Sequence, residues 1–568
     1  MRWLPLAALL LLLSLAGCGL RQGAAPPEPF PLSLSQEQGQ DLQAQLTGVP
    51  GPLAQAIGAE IQIRLASAED SQAPGRAVPA KKILTELLSH SGQPLLQPGD
   101  EFAELRQLID PGQAEPTAPF ARALASYLLE PDFACRQPIF HAYFNRRYQK
   151  GEQSVCSEKI PLLLASRLEG VSPIWLDPGQ EIREVHLLFA GQGEKMASRF
   201  GHVALRLLVC PAGKDDADSC ASNLYNHIVL GFMAHVDEFE LNTIKALSGD
   251  YAAHLFALPF MDAYRGYAIE EFRELHSVPL KLNSEQRQLF VRQLSEIHWR
   301  FAGDYNFFSR NCATLLQDVL RALLPGYKDE KRLKKNFRRP DTFFAAIRQT
   351  PLVAGKKLVP PERAEEEGYY FASTKPFYAK ALAVVAGAMS KAPFRDLNSY
   401  LARPPSQRLA AILADPAYVE LLSRDPYQLE AQLLLEELAL TRSERRLQAQ
   451  GSRYLHDFDF TADQLQQARL SQQERLFFND CFLAPIRQFT SPVPRLPAIP
   501  AETTQLPALA PKPDCQAQRG GGVQLTDILG RVNAEGQEQW LRVLAATQIH
   551  NETMKNIITL QELRHEPL

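Results

Sequence analysis

The sequence predicts an α+β fold, and three observations predict it. Between residues 182 and 282, β-branched and apolar residues gather in short runs bounded by glycine and polar loops, the pattern of strands. On both sides of that segment, apolar residues recur at helical spacing. From Asn311 onward, a helix-capping residue opens a long apolar stripe. The 568 residues allow about two to four domains. With 60 Lys and Arg against 64 Asp and Glu, the net charge of −4 leaves no basic surface for nucleic acid.

The amino terminus comes first. Met1-Arg2-Trp3 precedes an apolar run from Leu4 to Ala16, the layout of a secretory signal. The run is shorter than the roughly 20 apolar residues that span a bilayer. It ends in Leu15-Ala16-Gly17-Cys18, which resembles the lipobox of bacterial lipoproteins. That resemblance implies a signal peptide over residues 1–17 and a lipid on Cys18 that tethers the chain to a membrane. Gly19 stands where an aspartate resembles an inner-membrane retention signal, so the expected location is the periplasmic face of the outer membrane. Residues 18–40, rich in Pro, Gly and Gln, read as a flexible spacer.

Residues 41–178 predict helices, such as 81–91 and 119–129, interrupted by Pro131 and Pro138. Residues 179–335 change texture. Strands are predicted over 182–190, 201–209, 223–231 and 276–282. A helix then starts at Ser284, with Glu285 and Gln286 in its first turn and Leu289, Leu294 and Ile297 facing inward. A loop over 303–310 leads to a second helix carrying Leu315, Leu316, Val319, Leu320, Leu323 and Leu324 on one stripe, closed by Pro325-Gly326. Residues 336–568 return to helical patterns, clearest at 429–440 and 464–477, with a Pro-rich segment over 491–513. No later apolar run reaches membrane-spanning length.

Eight cysteines are present. Cys18 is the lipid site, and an exported chain tends to pair the others. Neighbours in sequence suggest Cys135 with Cys156, Cys210 with Cys220, and Cys481 with Cys515, which leaves Cys312 as the odd thiol. Asn311 is a good N-cap, so Cys312 falls in a first helical turn. There the helix dipole favours an anion, which predicts a lowered thiol pKa. Free N–H groups at the same place can hold a developing oxyanion. A thiol nucleophile needs a base, and His202, opening a strand after Gly201, is the best candidate of twelve histidines. The third member is Asn226 or His227 on the next strand. Side chains alternate along a strand, so only one can point correctly, with His227 the first choice. Arg206 can position an anionic group, and Tyr305, Asn306 and Asn311 can line the cleft. His235, His254, His276 and His298 lack metal-ligand spacing, and Gly191-Gln192-Gly193 is not a nucleotide loop, so neither metal nor cofactor is expected.

The order of His202 before Cys312 is similar to that of circularly permuted papain-like folds, the branch of lecithin:retinol acyltransferase; NlpC-type peptidases place the cysteine first. Phe-Gly-His-Val-Ala-Leu-Arg at 200–206 and Asp-Tyr-Asn-Phe-Phe-Ser-Arg-Asn-Cys-Ala-Thr at 304–314 resemble the two signatures of a bacterial family of periplasmic domains. That family includes the N-terminal domain of the lipoprotein intramolecular transacylase. The resemblance covers about residues 180–330. It implies a small antiparallel sheet, a helix carrying Cys312, and an acyl-thioester mechanism with Cys312 as nucleophile and His202 as base. The substrate it implies is a lipid ester of a lipoprotein or phospholipid, acted on by a transferase or hydrolase in the envelope. The transacylase also has a membrane-embedded region, whose place the tether and helical flanks take here. Two alternatives stand beside this reading: a peptidoglycan-directed cysteine peptidase or amidase, and a lipid-tethered scaffold without catalysis.

Overall fold

A computed structural model describes residues 100–111, 117–130, 132–148, 159–166, 170–193, 198–210, 220, 223–235, 251–301, 303–354, 361–456, 469–483, 496–501, 528, 531 and 537–563. The chain divides into two compact units, Met1–Leu96 with Ala121–Glu130, and Gln97–Phe120 with Pro131–Leu568. Of the first, only the helical stretch 121–130 is described. Cys18, the signal and spacer, the helix expected at 81–91, and most of 491–513 lie outside the described residues.

In the second unit, nine strands form one sheet. They are β1 (Ile160–Ser166), β2 (Gly170–Leu176), β3 (Ile182–Ala190), β4 (His202–Val209), β5 (Ile228–His235), β6 (Tyr251–Pro259), β7 (Leu275–Pro279), β8 (Gly303–Tyr305) and β9 (Tyr370–Phe371). Their order is β2-β1-β6-β5-β4-β3-β7-β9, with β8 on β6. The class is α+β as the sequence predicts, but the sheet is larger than the small antiparallel one expected. It is also mixed, because β1 runs parallel to β6. The two strands β1 and β2 fall where sequence suggests helices. Ile-Pro-Leu-Leu-Leu-Ala-Ser at 160–166 is a short apolar run, and periodicity alone does not separate strand from helix at that length.

The helices that matter for the site are α1 (Asp100–Gln107), α2 (Pro138–Tyr148), α3 (Phe260–Tyr264), α4 (Ser284–Arg300), α5 (Cys312–Leu323), α6 (Pro340–Ile347), α7 (Lys375–Ala388), α8 (Pro405–Leu413), α9 (Pro426–His456) and α10 (Gln537–Glu562). One face of the central strands presents Leu188, Ala190, Ala204, Val229 and Leu275 to Phe260 and Ala263 of α3 and to Phe371. Alternate residues face the other way. There Phe189 stacks on Phe344 of α6 at 4.6 Å, and α5 packs against α6, β4 and β5.

Three local expectations change. Leu289 of α4 is 41% exposed, while Phe290, Val291, Leu294 and Ile297 are buried. The helix is capped by Asn283, and its apolar stripe lies one residue further round than expected. Residues 224–226 form a 3-10 turn, so β5 starts at Ile228 and Asn226 lies off the strand. The 464–477 helix is shorter in its described part, with an α-helix over Gln472–Leu476 that passes into a π turn at Phe477.

The flanks attach through buried polar contacts. Glu296 of α4 accepts from the Ile139 N–H of α2 at 2.8 Å, and Trp299 Nε1 donates to Pro161 O of β1 at 2.9 Å. In the carboxy-terminal helices, Arg408 of α8 pairs with Glu436 of α9 through bonds of 2.8 and 2.9 Å. Tyr400 and, from α10, Asn556 also bond that carboxylate. Cys210 and Cys220 form a disulfide, as sequence neighbours suggest, with Cα atoms 5.5 Å apart. Cys135 is disulfide-bonded too; Cys156 and Cys515 lie outside the described residues.

Candidate active site

The start of α5 is fixed by Asn311. Its Oδ1 accepts the N–H groups of Ala313 (3.0 Å) and Thr314 (3.3 Å), and Thr314 Oγ1 accepts the Asn311 N–H at 2.8 Å. The Asn311 amide donates to Phe307 O and Arg338 O, both at 2.8 Å. This side chain is consumed in capping, which corrects its expected role as a substrate contact. The cap makes Cys312 the first residue of the helix.

Cys312 is a buried free thiol. Its sulfur accepts from the Val203 N–H and meets the Tyr305 hydroxyl, beside the Ala313 N–H, whose own bond goes to Asn311 Oδ1. That hydroxyl also accepts the Cys312 N–H. Burial pushes the thiol up to about 11, although the two N–H groups, the Arg273 charge and Tyr305 pull it down. The expected lowering by the helix dipole is therefore overturned. Desolvation disfavours the thiolate by more than the donors favour it.

His202 opens β4 opposite Ala190. Gly201 before it has φ +83°, and a Cβ there would lie 2.4 Å from Phe189 Cε2 and 2.7 Å from Ala190 O. Only glycine fits this approach, and it delivers His202 to the strand start. The imidazole stacks on Tyr267, with ring centroids 5.9 Å apart. Its Nε2 faces Gly231, where a Cβ would touch it at 3.5 Å. Burial pushes its pKa down to about 4, the Arg273 charge adds to this, and Glu271 opposes it. The ring is thus neutral near pH 7 and free to take a proton. Val203 N, which bonds the Cys312 sulfur, is two covalent bonds from the His202 Cα.

Three residues of this neighbourhood escape sequence reasoning: Tyr267, Glu271 and Arg273. A π turn over Arg265–Glu270 carries Tyr267 to the His202 ring. Arg273 donates to Gly191 O (2.6 Å), Ala190 O (2.9 Å) and Glu271 Oε2 (2.8 Å), and its guanidinium lies 4.7 Å from the Tyr267 ring centre. No local spacing marks these residues, because the turn brings them back across β3.

Other expected site residues lie elsewhere. His227 Nδ1 is 2.6 Å from Arg206 Nη2, and its Nε2 donates to Cys220 O at 3.1 Å. The β4–β5 register sets Leu207 opposite Ile228 and Leu205 opposite Leu230, so His227 lies towards the far end of β4 from His202, whose Nε2 is by Gly231. Four residues separate Gly231 from His227, roughly 13 Å of extended chain. The structure therefore does not bring His227 or Asn226 to His202. Arg206 is fully buried between Phe260 (4.2 Å) and Phe371 (5.2 Å) and donates to Gly368 O at 2.7 Å, so it holds the core together. Asn306 accepts from the N–H groups of Phe308 and Ser309 and shapes the turn before α5. Tyr305 alone of the four expected binding residues reaches the sulfur. Among the described residues, no group of His, Cys, Asp and Glu could hold a metal ion.

Comparison with curated proteins and with solved structures yields no match to this chain. Residues 178–346, a stretch that encloses His202, Tyr305 and Cys312, match the family described as the Lnb N-terminal periplasmic domain, as the two signature segments lead one to expect.

Proposed function

We propose that this chain is an envelope thiol enzyme that moves or hydrolyses an acyl group of a lipid ester. The observation that carries the reading is the Cys312 sulfur, met by the Tyr305 hydroxyl and by the N–H of Val203, the residue after His202. The reacting pair is neutral at rest. As Cys312 Sγ attacks the ester carbonyl, the thiol proton passes to the His202 imidazole and a sulfur–carbon bond forms. The carbonyl oxygen becomes an oxyanion, which the Val203 N–H and the Tyr305 hydroxyl can stabilise. Collapse breaks the carbon–oxygen bond, and the departing alkoxide takes the proton from His202. An amine or water, deprotonated by His202, then attacks the thioester, the carbon–sulfur bond breaks, and the departing sulfur takes that proton back as the thiol. The substrate class is a lipoprotein or phospholipid ester. A lipid on Cys18 would hold the domain at the membrane that contains it, on the periplasmic face of the outer membrane.

Mass spectrometry of lipoprotein amino termini tests this, comparing cells that make the wild type with cells that make Cys312→Ala. Acyl patterns or lysophospholipid levels that differ between the two support the proposal. Identical lipids with altered peptidoglycan stem peptides would replace it with an amidase. No difference in either would leave the scaffold reading.

A further inference from the structure

The segment from Glu270 to Arg273 joins the π turn to β7 and is gripped by the carboxy-terminal helices. Phe272 has φ +55°, a conformation a bulky residue keeps only when its surroundings impose it. Those surroundings are α7 and α9. The Phe272 ring lies 6.0 Å from that of Tyr378, and the Arg442 guanidinium sits 4.9 Å from its centre. Three residues along α9, Arg445 reaches both carboxylates of the segment, Glu270 Oε2 at 3.0 Å and Glu271 Oε1 at 3.3 Å. The other oxygen of Glu271 accepts from Arg273 Nη1 at 2.8 Å. Alternating charges therefore run from α9 through Glu271 to the guanidinium whose field reaches both Cys312 and His202.

We infer that Arg445 is a positioning residue of the thiol site, holding Glu271 so that Glu271 keeps Arg273 beside Cys312 and His202. The carboxy-terminal helices are then part of the reacting unit. The inference rests on the reading of Cys312 as the reacting thiol, but its test reads the thiol itself and needs no substrate.

The test is the rate at which iodoacetamide alkylates Cys312 in the full chain, followed by mass spectrometry from pH 7 to 9.5. Arg445→Gln should slow alkylation roughly three- to tenfold at each pH, as the whole profile moves to higher pH. Arg445→Lys should restore most of the rate. In a Glu271→Gln background, Arg445→Gln should change the rate by less than about twofold, because the intermediary is already gone. A wild-type profile in Arg445→Gln overturns the inference. So does a full-sized effect of Arg445→Gln in the Glu271→Gln background. If no acyl transfer is ever found, the proposed function fails while this coupling can still hold.

Discussion

At the scale of single residues, the site is governed by a contest between desolvation and donors at one sulfur. Burial wins at both groups, so Cys312 and His202 are each neutral at rest. The sign of the pH dependence follows. Because the thiol pKa is raised, alkylation of Cys312 should climb about tenfold per pH unit from 7 to 9. A flat rate across that window would reveal an ion pair instead. Because the histidine pKa is lowered, His202 stays able to accept a proton until the pH falls towards about 4, and turnover should fail only there. Tyr305→Phe removes a hydroxyl that meets the sulfur and leaves the ring in place. It should lower kcat by about tenfold to a hundredfold, with little change in melting temperature. Much of this pair was legible in the sequence. An asparagine cap with a stripe behind it placed Cys312 in a first helical turn, and the glycine before a strand placed His202 at its start. The direction of the thiol shift was not legible, because depth of burial depends on Val203 and Tyr305, far from Cys312 or outside its helix. The choice between Asn226 and His227 failed for a related reason. A strand's alternation says which side a residue faces, but register says how far along it lies, and register is set by pairing with β4.

At the scale of elements, two devices fix the ends of β4 and β5. Gly201 lets the chain enter β4 in a left-handed conformation against Phe189. Gly201→Ala should cost at least about 1–3 kcal/mol in denaturant unfolding and displace His202, so alkylation and turnover change together. At the far end, the Cys210–Cys220 disulfide closes the β4–β5 connection, and Cys220 O holds His227. Replacing both cysteines by serine should lower stability by about 2–4 kcal/mol. Because His227 is so far from His202, the Cys312 alkylation rate should stay within about twofold. Elements with bounded β-branched apolar runs or helix caps, such as β3, β4, α4 and α5, were legible. β1 and β6 were less so, since leucine- and alanine-rich runs gain strand character only by pairing with one another.

At the scale of the molecule, the carboxy-terminal helices are joined by contacts between residues over a hundred positions apart. Arg408, Glu436 and Asn556 form one buried network across α8, α9 and α10. Arg408→Leu should destabilise the fold by about 3–5 kcal/mol, because Glu436 is left as an uncompensated buried charge. Calorimetry of the full chain measures this. No sequence pattern announces that these helices also grip Glu271 and Phe272, because the grip depends on which face of α9 meets the π turn. Among the described residues, no helix is long and apolar enough to cross a membrane.

A thiol that rests protonated has one further consequence. With a pKa of about 11, only about one molecule in ten thousand carries the thiolate at pH 7. Disulfide exchange and peroxide attack both begin from the thiolate and need access to it. In a compartment that oxidises exposed cysteines, the same burial that slows the sulfur as a nucleophile keeps it in the reduced form that the proposed acyl chemistry requires.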